Sequence, residues 1–160
     1  MHQYHTISLR FKANILFFHF NNIVDFMTKT IDEIMTKNLE MINSSSSAQE
    51  TAKKMSEKNV SSLLVTDNNG RPVGIVTEQD LVRRVVAEDV GSASSVVQHI
   101  MSSPLVTIDP KSSVEVAADV MLQNNVRHLL VVENEDIRRP LGIVTVTDFA
   151  GYLKTDSGPT

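Results

Sequence analysis

Apolar residues in this chain recur with two periods. Val114, Ala117, Ala118, Met121 and Leu122 fall at i, i+3, i+4, i+7 and i+8, which predicts a helix with one apolar face. Ser112 and Glu115 stand three apart at its start, the spacing of a capping box. Asn124-Asn125 closes it. Short apolar runs flank this helix. Residues 105–108 form a β-rich run ended by Asp109-Pro110. Residues 126–132 read as a buried strand, and residues 140–144 as another after the charged loop 133–139. Residues 145–148 open a final helix that ends near Lys154.

The first half follows the same plan. Residues 39–42 are a short strand, and Ala48, Ala52 and Met55 mark a helix capped by Ser46 with Gln49 or by Ser47 with Glu50. Leu63-Leu64-Val65 is a strand. Asp67-Asn68-Asn69-Gly70 is a strong turn signal, so the strands around it should form a hairpin. Residues 80–90 read as helix.

The parallel between halves extends to residue identities. Ile34-Met35 returns as Ile100-Met101, Asn59-Val60 as Asn125-Val126, and Leu63-Leu64-Val65 as Leu129-Leu130-Val131. Gly74-Ile75-Val76-Thr77-Glu78-Gln79-Asp80 returns as Gly142-Ile143-Val144-Thr145-Val146-Thr147-Asp148. The offset is 66 residues up to Asn68 and Asn134 and 68 after the loop, so the second copy carries a two-residue insertion. Two copies are too few for a solenoid. The expected fold is α+β, with two pseudo-symmetric repeats, each strand-helix-strand-strand-helix, packed face to face as one module. A cleft between two like halves is a natural ligand site.

Composition narrows the class. Hydrophobic residues make up 41% and charged residues 21%, as in a globular protein. The net charge of −4 offers no general basic surface for nucleic acid, and no apolar stretch approaches the length of a membrane span. The chain has no Cys, hence no disulfide or thiol chemistry, which suits a cytoplasmic location. Residues 1–26 differ from the rest: they hold five of the six Phe and no acid before Asp25. Arg10 and Lys12 precede an apolar run as in a signal peptide, but Asn14 and His19 interrupt it and no small-residue cleavage site follows. The expected division is an N-terminal extension at 1–27, disordered or an upstream start before Met27, with an added helix or partner contact as the alternative. Repeat 1 follows at 28–90, a linker at 91–95, repeat 2 at 96–154 and a tail at 155–160.

The repeated heptad carries the candidate chemistry. Thr77-x-x-Asp80 and Thr145-x-x-Asp148 each have the form of a helix capping box. Capping does not explain Gly74 and Gly142, which interrupt strands and so mark close approach by a ligand or another backbone. A helix N-terminus suits phosphate, and a nearby carboxylate can accept both hydroxyls of a ribose. His2-x-x-His5 is too slight for a metal site, and there is no nucleophile elbow or P-loop. No catalytic residue and no metal site is therefore expected. Arg83 and Arg84 lie one helical turn past Asp80, within reach of phosphate or solvated.

Over residues 28–154 these motifs resemble a CBS-domain pair, or Bateman module, whose nucleotide-binding pattern is Gly, two hydrophobics, then Thr-x-x-Asp. The resemblance implies an adenosine ligand (AMP, ADP, ATP or S-adenosylmethionine) in the cleft between repeats, with no cofactor required. It implies ribose contacts from Asp80 and Asp148, ribose or phosphate contacts from Thr77 and Thr145, and adenine pockets lined around Thr36, Ser102 and Pro104. Arg127 and His128 match a segment that contacts phosphate in some members, while repeat 1 has Ser61 and Ser62 there. The Asp148 site is therefore expected to be the stronger one for phosphorylated ligands. The resemblance further implies a homodimer and a separate effector protein, with neither nucleic acid nor membrane as partner. Such pairs also occur inside inosine-monophosphate dehydrogenases, but that reaction needs a large barrel and a Cys nucleophile. The alternative is a structural dimerisation module with empty clefts.

Overall fold

Alternation along the second strand of each hairpin sets the two sheets. In the computed structural model, which describes residues 23–155, strand β3 (Pro72–Thr77) buries every second residue. It pairs antiparallel with β2 (Ser62–Thr66), and β2 pairs parallel with β1 (Met41–Asn43). Repeat 2 copies this with β4 (Thr107–Ile108), β5 (His128–Val132) and β6 (Pro140–Thr145). Each central strand is buried on both faces. Leu63 and Val65 join Met55 and Val76 in one core, while Leu64 points the other way to meet Leu130 and Val132. That middle layer joins the two sheets. The α+β pair of repeats anticipated from the sequence is the fold observed.

Helices cover the outer faces. They are α1 (Ile31–Ile34), α2 (Ala48–Lys58), α3 (Glu78–Leu81), α4 (Val97–Ile100), α5 (Val114–Asn124) and α6 (Val146–Thr155). Ser47 caps α2, with Glu50 completing the box, and Asn59 ends it in the left-handed conformation. The N–H groups of Ala48 and Gln49 donate to Ser95 and Ser92, so the linker seals the start of that helix.

The sequence reading differs from the structure in several places. The opening helices α1 and α4 are not part of the strand-helix-strand-strand-helix plan. Strands β1 and β4 start two residues later than expected. Ser113, not Ser112, caps α5, because Thr30 bridges to Ser113 and the Ser112 carbonyl accepts the Ile31 N–H. Leu122, assigned to the apolar face of α5, is 79% exposed. The helix after Asp80 is not uniform: α3 runs into a π-helical turn, Val82–Val86. Residues 23–28 are helical, and Phe26 is buried edge-on against Phe149 at 6.1 Å, so packing begins inside the segment set aside as an extension. Residues 1–22 lie outside the described residues.

The opening helices cross over. Ile31 of α1 is buried among Ile108, Val114, Ala117, Met121, Leu129 and Val144, all of repeat 2. Val97 and Ile100 of α4 are buried in the core of repeat 1. The backbone follows: Val114 N–H donates to Lys29, and Val97 N–H donates to Ser46. Each sequence repeat therefore completes the core of the other, and neither half has a closed core of its own.

Candidate functional site

Gly74 and Gly142 lie where these crossovers meet the sheets. Residues 75 and 102 exchange two backbone hydrogen bonds, at 3.0 and 2.8 Å, and residues 36 and 143 exchange two at 2.9 and 3.0 Å. A Cβ on Gly74 would meet the Ser102 carbonyl at 2.9 Å and Met101 Sδ at 2.6 Å. One on Gly142 would meet the Thr36 carbonyl at 2.7 Å and Met35 Sδ at 2.8 Å. Both glycines admit another backbone, which resolves the choice the sequence left open between ligand and chain.

That crossing places the opening of one repeat beside the heptad of the other. Thr77 caps α3: its backbone N–H and its hydroxyl donate to Asp80 Oδ2 at 2.9 and 2.8 Å, and its Oγ1 accepts the Asp80 N–H at 3.2 Å. Thr145 and Asp148 repeat this with 2.7, 2.8 and 3.3 Å. The cap thus occupies one carboxylate oxygen of each Asp. The other oxygen faces the cleft. Asp148 Oδ1 accepts the Thr36 hydroxyl at 3.2 Å, and Asp80 Oδ1 lies 3.9 Å from Arg84 Nε. Cap and cleft use different oxygens, so the two readings of the motif do not compete.

The helix N-termini are less open than expected. The Glu78 N–H donates to the Ser61 carbonyl and the Asp80 N–H to Thr77, so two of the first donors of α3 are already paired. The N–H groups of Val146 and Asp148 are paired in the same way, with Arg127 and Thr145.

Two composite clefts result. One, of about 410 Å³, joins Thr77 and Asp80 to Ser102, Pro104, Arg127 and His128. The other, of about 240 Å³, joins Thr145 and Asp148 to Thr36, Glu40, Ser61 and Ser62. The first falls in the size range of small-molecule sites and the second below it. The allotment of Arg127 to the Asp148 site is therefore corrected: Arg127 lines the Asp80 cleft, and Ser61 and Ser62 line the Asp148 cleft. The strand start of each repeat faces its partner's heptad rather than its own. His128 borders both clefts. Burial holds its imidazole below the ordinary range, with Arg127 adding to that and Asp80 and Asp148 opposing.

Charge separates the clefts. Arg83, Arg84 and Arg127 stand around one carboxylate in the first, whereas Asp148 and Glu40 line the second without Lys or Arg. Arg84 has a structural task, since its guanidinium donates to the carbonyls of Ile100 and Met101 at 2.8 and 2.9 Å. No local signal in the sequence announces that tie, nor the place of Glu40 in the second cleft. Among the described residues, no cluster of His, Cys, Asp or Glu could hold a metal ion, and no helix is long and apolar enough to cross a membrane.

Comparison with known proteins places this geometry. The family model described as CBS domain matches twice, at residues 31–87 and 97–155. An uncharacterized protein of Acidianus ambivalens is 32% identical over 127 residues, covering 79% of this chain and 74% of that protein. An uncharacterized protein of Methanocaldococcus jannaschii is 33% identical over 135 residues, 77% of this chain, but this chain spans only 31% of its length. An inosine-5'-monophosphate dehydrogenase of Nitrosopumilus maritimus is 29% identical, with 27% of its length covered. Among solved structures, a hexameric CBS-CP12 protein from bloom-forming cyanobacteria superposes with a TM-score of 0.71 at 31% identity, covering 82% of this chain and 75% of that one.

Proposed function

The chain belongs to the CBS-domain family, and we propose that it is a non-catalytic sensory module that binds an adenosine-containing ligand between its repeats. The observation that carries this reading is the divided duty of the two carboxylates. In each heptad Oδ2 caps a helix, while Oδ1 faces a cleft whose far wall belongs to the other repeat. Oδ1 is placed to accept a ribose hydroxyl without loss of the cap. Leu64 and Leu130 supply apolar floor for a base. A ligand so held touches both repeats, so its differential affinity for two arrangements of the pair would shift their balance. The response passes to an effector protein or to assembly of the module. Self-association is supported by the exposed Val82, Val86, Leu122 and Val146 and by the hexameric relative, and a homodimer is the simplest form. The dehydrogenase likeness covers about a quarter of that enzyme, and this chain has no Cys to serve as its nucleophile.

One observation favours a second reading, a structural module with empty clefts: both Thr–Asp pairs are fully satisfied as caps without ligand. Thermal shift and calorimetry against AMP, ADP, ATP, S-adenosylmethionine and NAD separate the two. A ligand at 100 times its Kd stabilises the folded state by about 2.7 kcal/mol. Absence of any shift at millimolar concentration would remove the sensory reading and leave the structural one.

A further inference from the structure

We infer that two copies of this chain associate head to tail, with Leu122 on repeat 2 of each copy seated in a groove between α2 and α3 on repeat 1 of the other. The inference rests on the self-association proposed above and adds to it the faces that meet and their orientation.

Three observations carry it. First, the outer face of repeat 1 holds a groove of about 600 Å³ whose wall includes Ala52, Ser56, Val60, Leu81 and Val82. Val82 is 57% exposed and Val86, four residues on, 71%, so this apolar face is uncovered. Second, the repeat gives these positions counterparts of opposite shape. At the offset of 66, Ser56 corresponds to Leu122, which is 79% exposed. At the offset of 68, Glu78 in the same wall corresponds to Val146, also exposed. Repeat 1 thus has a small residue in a groove where repeat 2 has a large apolar one standing out. Third, charge divides in the same way. Helix α2 carries Lys53, Lys54 and Lys58 against Glu50 and Glu57, whereas α5 carries Glu115 and Asp119 and no Lys or Arg. Lys53 corresponds to Asp119, and both are exposed. The 3.9 Å pair of Lys53 with Glu57 is exposed on both sides and holds the lysine weakly.

A two-fold pair through a face made of two like halves has two forms. Head to head sets each position against its own copy, Asp119 on Asp119 and Ser56 on Ser56, which leaves both grooves unfilled. Head to tail sets Leu122 on Ser56 and Asp119 on Lys53, each contact made twice by symmetry. The second form fills the grooves and opposes unlike charges, while the first opposes like charges, which weaken association. Because Leu122 and the groove lie on different repeats, a ligand that changes the angle between repeats also changes the fit between copies.

The test uses introduced cysteines, which report without background because the chain has no Cys. Light scattering of the full chain should first show the mass of two chains. A disulfide forms only where Cα atoms come within about 7 Å. Ser56→Cys and Leu122→Cys together should therefore give, under mild oxidation, a covalent dimer whose proteolytic peptides join position 56 to position 122. Either substitution alone should give no covalent dimer. Charge supplies a second measurement. Asp119→Lys should raise the dimer dissociation constant about tenfold by facing Lys53, and adding Lys53→Asp should restore most of the loss. In a head-to-head pair Asp119→Lys would exchange one like-charged contact for another and change little. A covalent dimer from either single variant, or a dimer with no link between 56 and 122, overturns the head-to-tail inference and leaves self-association standing. A monomer up to millimolar concentration overturns both.

Discussion

Replacing Gly142 by Ala adds one methyl group where the two repeats are stitched together. The new Cβ would lie 2.7 Å from the Thr36 carbonyl oxygen and 2.8 Å from Met35 Sδ. The methionine can swing aside. The carbonyl cannot, because the 2.9 and 3.0 Å hydrogen bonds between residues 36 and 143 hold it there. Either the contact stays overpacked or the bridge opens. Overpacking costs about 1–3 kcal/mol, and losing two hydrogen bonds of about 1 kcal/mol each costs about 2, so the expected loss by either route is about 1–3 kcal/mol. For a chain of this size that lowers Tm by roughly 2–12 °C, at about 2–4 °C per kcal/mol. The control has the opposite sign. Gly151 lies within α6 with nothing within 4 Å of a built Cβ, so Gly151→Ala should stabilise by roughly 0.5–1 kcal/mol through helix propensity. Urea and thermal unfolding of both variants read the difference. A Gly142→Ala loss below about 0.5 kcal/mol would refute the idea that this glycine exists to admit the Thr36 backbone.

Other consequences are separable. Ile31→Ala should cost about 2–5 kcal/mol, because this fully buried side chain completes the core of the other repeat, and unfolding should stay a single transition; a second transition by calorimetry would mean that the repeats do not depend on each other. Asp148→Asn keeps an oxygen for the Thr145 cap but removes the charge, so ligand affinity in that cleft should fall about tenfold with a stability change under about 1 kcal/mol; loss of Tm with unchanged affinity would make the residue a cap alone. The folded-state pKa of His128 is depressed, so the unfolded chain takes up the proton first. Its contribution is complete above the ordinary histidine pKa and declines as pH falls below it, and His128→Gln should flatten that slope in denaturation measured from pH 7.5 to 5.5; an unchanged slope would refute the assignment. Leu122→Glu should leave stability within about 0.5 kcal/mol while lowering the mass seen by light scattering; a stable variant of unchanged mass would take Leu122 out of the contact.

Much of the local structure is legible in the chain. The cap of α2, the Asp67–Gly70 turn and the paired heptads follow from interactions within a few residues, and these appear where the spacing puts them. The misplacements share one cause. Ser113 displaces Ser112 as cap because Thr30, far away in sequence, bridges to it. Leu122 fits the helical period yet stays outside, because the face of α5 that is covered is set by α1 and the sheet rather than by the pattern.

The site divides along the same line. That Thr and Asp act together at the start of a helix follows from sequence alone, since a capping box closes within four residues. Which cleft receives Arg127 does not. Ile31 and Val97 occupy matching positions, each three residues before an Ile-Met pair, and the local sequence does not say whether either covers its own repeat or its neighbour's. The tertiary packing is crossed, with Ile31 in the core of repeat 2 and Val97 in that of repeat 1. That choice explains both glycines, sets Arg127 opposite Asp80, and leaves Asp148 facing Ser61 and Glu40. A repeated sequence determines two equivalent halves; the contacts between the halves decide that their clefts are unequal.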